Sequence, residues 1–425
     1  MAGKKTRRRR SRPAMARALA PILAGLAAVA VAFIAAEILL ARAGIPATID
    51  HEEVTEADPL LLWRNRSGFS GQLFRDRALV TTGPQGFRGG PVSPAKKPGT
   101  RRVIVIGDSA TFGVNVADQD TYPAMLERML NDGSEKHKWE VVNGGVIGYT
   151  SWQGLEMFQK RVLAYSPDCV IISYAMNDGT PNWSGIPLRR MNRAGALTAF
   201  TRNQAFQHSR VFRLLLLKAA HWRVVAAHRR KGRSPQTDSP SVPPDEYRNN
   251  LVSMARLARA SGVRVLFFWV PVQLKGLNVD YTIYPYWIYN RQAAEKAVTD
   301  LKGKAEKARV EGKRELLSPY YFMIAKLEEY TGDPASAKEY YLKALLAAAG
   351  PNEPRFNSYK YRGIMKSVAR EEGLRFVDAY GAFADSEMSG SPPDLFTDPY
   401  HPGKNGNRII AGMLREEIAA EFARK

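Results

Sequence analysis

Between Arg17 and Arg42 lie 24 residues with a single charge, Glu37, and this run constrains the chain more than any other feature. A helix rises about 1.5 Å per residue and needs about 20 apolar residues to cross the hydrocarbon core, so residues 18–41 suffice, with Glu37 near the far interface. A run of this length sits in a membrane, is removed as a secretory signal, or is buried in a core. Signal h-regions are usually only about 7–15 residues long, which favours an uncleaved anchor. Residues 1–17 carry Lys4, Lys5, Arg7, Arg8, Arg9, Arg10, Arg12 and Arg17 and no acid. By the positive-inside rule, residues 1–17 are a basic cytoplasmic tail and 18–41 a single-pass transmembrane helix of an inner or plasma membrane, with everything beyond Arg42 extracytoplasmic.

The whole chain has 62 Lys and Arg against 41 Asp and Glu, a net charge of +21. Such a balance first suggests nucleic acid, an anionic membrane or an acidic polymer. Its distribution argues against the first. Residues 1–17 supply +8, residues 179–237 supply +12 with no acid, and the rest of the chain carries only +1. The lone cysteine, Cys169, excludes a disulfide scaffold and a Cys-based zinc or iron–sulfur site.

Residues 42–100 mix Pro, Gly and charge without clear periodicity and read as an extracytoplasmic lead-in. From residue 101 the pattern is regular. Strand-like runs at 102–106, 139–142, 168–174, 263–270 and 374–377 alternate with helical spacing at 122–130, 151–164, 244–260, 355–372 and 405–423. Short, near-continuously apolar strands separated by helices indicate an α/β fold with a five-stranded parallel sheet buried on both faces. In such sheets ligands bind at the carboxyl ends of the strands.

The first strand runs into Gly107, Asp108 and Ser109, a turn that can expose a serine hydroxyl above the sheet. The GxGxxG and GxxxxGK[ST] spacings are absent, so neither a dinucleotide nor a phosphate loop is indicated. Near the other end of the chain, Asp398 and His401 are three apart, so one turn can hold a carboxylate against an imidazole and leave the second ring nitrogen as a base. A serine hydroxyl needs such a base at neutral pH. The second strand leads into Asn143, Gly144, Gly145 and Gly148, and the third into Asn177 and Asp178, placing amide donors at the same sheet edge.

This set resembles the SGNH, or GDSL-type, hydrolase family, membrane-anchored bacterial members in particular, whose four blocks occur here in the family's order. The resemblance spans about residues 55–178, 244–271 and 355–423 and takes in the segment from Thr82 to Gly89. It implies a three-layer α/β/α flavodoxin-like sandwich. It also implies Ser109 as nucleophile, His401 as base, Asp398 as its orienting partner, and an oxyanion hole built from the Ser109 and Gly148 backbone N–H groups and the Asn177 amide. No metal or cofactor is required. Gly144 and Gly145 compete with Gly148, which is preferred because Gly148, Tyr149, Thr150 and Ser151 best resemble the family's helix entry.

Two helical insertions fall outside the resemblance. In the first, 179–237, residues 211–227 are apolar on much of their circumference, with arginines and lysines interspersed. They read as a basic helix packed on the α/β core or, alternatively, lying on an anionic surface with Phe212 and Trp222 buried. The second, 273–354, opens with an aromatic run at 281–289. Its residues 332–345 look like the second half of a tetratricopeptide repeat, favouring a helical hairpin docked on the core over a clamp for a protein partner or substrate. The expected activity is hydrolysis of acyl or acetyl esters on an envelope polysaccharide or lipid. An O-acyltransferase with the same triad and a non-catalytic envelope scaffold are the alternatives.

Overall fold

A computed structural model describes residues 12–42, 53–58, 60–73, 78–132, 137–180, 209, 211–212, 240–273, 291–313, 316–348, 357–390 and 393–423. The chain divides into two compact units, Met1–Ile49 with Thr198–Pro235, and Asp50–Leu197 with Gln236–Lys425.

In the first unit a continuous helix spans Arg12–Arg42, and its stretch Pro21–Leu40 is long and apolar enough to cross a membrane. The same length and composition would also pass for a signal sequence near an N-terminus. Glu37 is not left bare. Its carboxylate accepts from the Ser209 hydroxyl and, at 3.1 Å, from the Val211 N–H, while Phe33 and Phe212 pack with ring centroids 5.5 Å apart. Val211 and Phe212, which begin the stretch 211–227, therefore gather with the apolar helix. The rest of that segment, like the aromatic run at 281–289, lies outside the described residues.

In the second unit, residues expected to lack periodicity form two hairpins, β1 (Thr55–Asp58) with β2 (Leu62–Asn65) and β3 (Ser70–Leu73) with β4 (Ala78–Thr81). Long-range bonds seat the first on the body: Trp63 Nε1 donates to the Ile147 carbonyl at 2.9 Å, and the Tyr149 hydroxyl donates to the Trp63 carbonyl at 2.5 Å.

The sheet comprises β5 (Thr100–Gly107), β6 (Lys138–Gly145), β7 (Cys169–Ser173), β8 (Arg264–Trp269) and β9 (Arg375–Asp378), all parallel, in the order β6-β5-β7-β8-β9. The sequence dictates this through period-2 burial on two faces. Ile104, Ile106, Val170, Ile172, Val265 and Phe267 face one core with the helices Ser151–Lys160, Pro244–Ala260 and Asn357–Glu372. Val103, Val105, Ile171, Leu266 and Phe268 face a second core with Tyr122–Asn131 and Lys404–Ala423. Full burial of each such side chain contributes roughly 1.5–3 kcal/mol. This is a three-layer α/β/α sandwich with the flavodoxin-like strand order.

Strand β6 runs longer than its apolar stretch, taking in Asn143, Gly144 and Gly145, which were expected to follow it. Three helices, Arg291–Val310, Leu317–Thr331 and Pro334–Ala348, fill the described part of the second insertion. Phe322, Ala337, Tyr341 and Leu345 are buried in the same core cluster as Tyr359 and Met365 of Asn357–Glu372, which docks the second and third of these helices on the sandwich, while the first packs on the second through Ala294, Val298 and Leu301.

Candidate active site

Strand β5 ends at Gly107, and the chain turns at once into a one-turn helix, Ser109–Phe112. Asp108 caps it, its Oδ1 accepting from the Ala110 N–H at 3.0 Å, so Ser109 becomes the first helical residue at the carboxyl edge of the sheet. The turn tolerates no extra atom. A Cβ on Gly107 would lie 2.0 Å from Thr111 Oγ1, and one on Gly145 would lie 2.2 Å from the Phe112 nitrogen. Gly113 closes the helix in the left-handed region, φ +87°, with its N–H on the Ser109 carbonyl at 2.9 Å.

The partner groups come from a small ribbon just before the last helix, β10 (Phe396–Asp398) paired with β11 (His401–Pro402). Its two-residue loop, Pro399 and Tyr400, makes Asp398 and His401 direct cross-strand partners. His401 Nδ1 lies 2.9 and 2.8 Å from the two Asp398 carboxylate oxygens, and its Nε2 lies 2.8 Å from Ser109 Oγ. With a carboxylate facing Nδ1, the proton belongs there and Nε2 is the acceptor for the serine hydroxyl. The Asp398 Oδ1 also accepts from the Tyr400 and His401 backbone N–H groups at 2.8 and 3.0 Å. Burial pushes the Asp398 carboxyl up, but the bonds from His401 and these N–H groups outweigh it and hold the group below its ordinary range.

Gly148 sits beyond β6 at φ +79°, three residues before the helix Ser151–Lys160, whereas Gly144 and Gly145 lie inside the strand. The Asn177 side-chain nitrogen donates to the Tyr149 carbonyl at 3.0 Å, which ties the segment after β7 to the residue following Gly148. An amide nitrogen carries two hydrogens, and this bond uses one. The Ser109 N–H, first in its helix, is one of the four that a helix leaves without an internal partner. A narrow cleft of about 30 Å³, bordered by Ser109, Tyr174, Met176, Trp269, Val272 and His401, adjoins the serine.

Residues 105–311 match the model of the GDSL-like lipase/acylhydrolase family. This similarity covers just under half of the chain. An acetylxylan esterase of Xylanibacter ruminicola is 37% identical over 98 residues, 21% of this chain and 20% of the relative. An arylesterase of Vibrio mimicus is 28% identical over 86 residues, 20% of this chain and 42% of the relative. The chain thus spans less than half the length of either. Among solved structures, an acetylxylan esterase from Geobacillus stearothermophilus aligns with TM-score 0.38 at 17% identity, over 76% of this chain and 96% of that one. A lipase/acylhydrolase from Enterococcus faecalis gives 0.38 at 15%, over 76% and 96%.

The matched span holds Ser109, Gly148 and Asn177 but stops short of Asp398 and His401. Three residues with structural claims on the site had no reading as such in the sequence. Arg88, buried, donates to the carbonyls of Phe112, Gly113 and Val116 at 2.6–2.7 Å and to Asp118 Oδ1 at 2.8 Å, gripping the far end of the serine's helix. Its one signal was its place in the segment from Thr82 to Gly89. Asn115, at φ +66°, donates from Nδ2 to Asp398 Oδ2 and Thr397 Oγ1, both at 3.1 Å. Asp178 accepts the Ser151 N–H on Oδ1 at 2.9 Å, while its buried Oδ2 has no partner among the described residues. Burial pushes its carboxyl up to about 7, and that of Asp108 up to about 6.

Proposed function

We propose that this chain is a membrane-anchored serine esterase, its catalytic unit outside the cytoplasmic membrane, acting on short acyl esters of an envelope glycan or lipid. The observation that carries the reading is the unbroken relay from Ser109 Oγ through His401 to Asp398, with both links at 2.8–2.9 Å. The esterase names of the partial relatives support the same chemistry.

Ser109 Oγ attacks the ester carbonyl carbon as its proton passes to His401 Nε2, and Asp398 stabilises the imidazolium. The negative charge on the carbonyl oxygen is met by the Ser109 and Gly148 N–H groups and the second hydrogen of the Asn177 amide. As the tetrahedral intermediate collapses, the C–O bond to the alcohol breaks and His401 returns the proton to the leaving oxygen. Water, deprotonated by His401, then attacks the acyl-Ser109 carbonyl, and Ser109 leaves with the proton. The narrow cleft beside the serine favours an acetyl group over a long chain.

The test uses the full chain in detergent micelles with p-nitrophenyl esters from acetate to palmitate. Acetate should turn over fastest, and Ser109→Ala and His401→Ala should each lower kcat by about 10³-fold or more without moving the thermal midpoint. Undiminished turnover by Ser109→Ala would overturn the reading. Acylated glycan formed in preference to free acid would replace hydrolysis with acyl transfer. The topology is tested separately: protease should reach the catalytic unit in spheroplasts but not in intact cells, and protection in both would reverse the assigned orientation.

A further inference from the structure

The Gly148 N–H is carried by a β-turn from Val146 to Tyr149, closed by the Tyr149 N–H on the Val146 carbonyl at 3.2 Å. Gly148, its third residue, stands at φ +79°, while Ile147 before it keeps a negative φ. That combination is a type II turn; a type I turn has φ of about −90° at the third position. The two forms differ mainly by a half-rotation of the central peptide, the one joining Ile147 to Gly148. A trans peptide is planar, so its C=O and N–H point in opposite directions. Whatever fixes the Ile147 carbonyl therefore aims the Gly148 N–H, and a flip to type I would turn that donor away.

The group that fixes it comes from outside the matched span 105–311. Trp63, on β2 of the first lead-in hairpin, donates from Nε1 to the Ile147 carbonyl at 2.9 Å. The indole is itself held in place. The Tyr149 hydroxyl donates to the Trp63 carbonyl at 2.5 Å, and the two rings meet edge-on with centroids 5.8 Å apart. Trp63 also covers the glycine, since a Cβ on Gly148 would lie 3.4 Å from its Cζ2. A hydrogen bond accepted by a peptide carbonyl polarises that peptide and strengthens its N–H as a donor. Asn177 secures a different peptide, through the Tyr149 carbonyl, so neither bond duplicates the other.

We infer that Trp63 is a positioning residue for the oxyanion hole, holding the Ile147–Gly148 peptide so that its N–H meets the charge developing on the substrate's carbonyl oxygen. Trp63 is not among the residues bordering the cleft beside Ser109, so it acts through Gly148. The inference rests on the esterase reading, with Gly148 as one of its oxyanion donors, and gives the lead-in hairpin a part in the reaction.

The test measures p-nitrophenyl acetate turnover by the full chain in detergent micelles, and inhibition by trifluoroacetone, whose hemiketal with Ser109 carries the oxyanion. Trp63→Phe keeps a ring and loses the donor. It should lower kcat about tenfold or more with KM little changed, and weaken trifluoroacetone by a similar factor. A loss of folded protein also lowers turnover but leaves the inhibition constant where it was. Trp63→His should recover most of both, because histidine Nε2 occupies the ring position of the indole N–H. Trp63→benzothienylalanine, with sulfur in place of the N–H, keeps the full shape and should behave as Trp63→Phe does. Unchanged kcat and inhibition in the two variants lacking the donor, or no recovery with histidine, would overturn the inference. Asn177→Ala separates it from the reading beneath. A large loss there beside an intact Trp63→Phe strikes Trp63 alone, whereas an intact Asn177→Ala removes the oxyanion hole and the role of Trp63 with it.

Discussion

The two halves of the candidate site are held in different ways. The serine's turn is clamped by the sheet's interior: Gly107 and Gly145 leave no room for a Cβ, and the buried Arg88 guanidinium binds three carbonyls at the helix's end. The ribbon bearing Asp398 and His401 is short and part-exposed, and its geometry is set by a handful of polar bonds, two from its own backbone N–H groups and one from Asn115. One half owes its position to packing that the whole fold enforces, the other to local hydrogen bonds. Damage to the first should therefore appear in stability, and damage to the second in rate.

The largest effect on that contrast is expected from Arg88→Met. Methionine fills much of the volume but takes the guanidinium from three buried carbonyls and leaves Asp118, still bonded to Thr81, without its ion-pair partner, a change of the class that costs about 3–5 kcal/mol. Urea unfolding of the catalytic unit should show a loss of unfolding free energy of that size, with activity falling only as folded protein is lost. If Arg88→Met kept its stability and lost its rate, the nucleophile side would be no more packing-determined than the ribbon, and the contrast would break.

The same contrast explains what the sequence disclosed. The five sheet strands were legible because burial on both faces demands near-continuous apolar runs, as in Val103, Ile104, Val105 and Ile106. Asp398 and His401 were legible because their relation is local, three residues apart, and a two-residue ribbon loop suffices to join them. The lead-in hairpins were not, since strands reading TEAD, LWRN, SGQL and ALVT have little alternation and are fixed by distant partners such as Ile147 and Gly145. Arg88 looked like one more surface cation in a glycine-rich stretch, because only the tertiary fold shows that it is buried. The end of β6 was placed too early because glycines lack the apolar signal that marks the rest of the strand, although their backbone continues the ladder as far as Gly145.

Asn115→Ala should have an intermediate effect and sharpens the ribbon's side of the contrast. It removes one N–H from Asp398 Oδ2 and one from Thr397, and opens no cavity in either core. A charge-assisted bond of this kind contributes about 1.5–3 kcal/mol, so kcat/KM on p-nitrophenyl acetate should fall by about tenfold or more with KM little changed. An equal loss with Asn115→Asp, which keeps the size but puts a second carboxylate beside Asp398, would agree with a positioning role. A large drop in melting temperature with intact rate would sink it.

A pH dependence is expected at the joint between the two halves, where Asp178 follows Asn177 and accepts the Ser151 N–H at 2.9 Å. Burial raises its folded pKa from the ordinary 3.8 to about 7. Between those values the native protein holds a proton that the unfolded chain has released, so ΔG of unfolding must fall as pH rises through this window. The contribution is complete below pH 3.8, is lost progressively toward 7, and is level above it. Asp178→Asn keeps an acceptor for Ser151 and cannot ionise, so its stability relative to the unaltered protein should rise from pH 4 to pH 8 in paired urea titrations. Asp108, raised to about 6, would leave a residual slope common to both proteins. A difference that stays flat across this range would mean that Asp178 is ionised in the fold at every pH tested. The buried Oδ2 would then need a cationic or strongly donating partner, and the tie between Asn177 and the Gly148 segment would be electrostatic in origin.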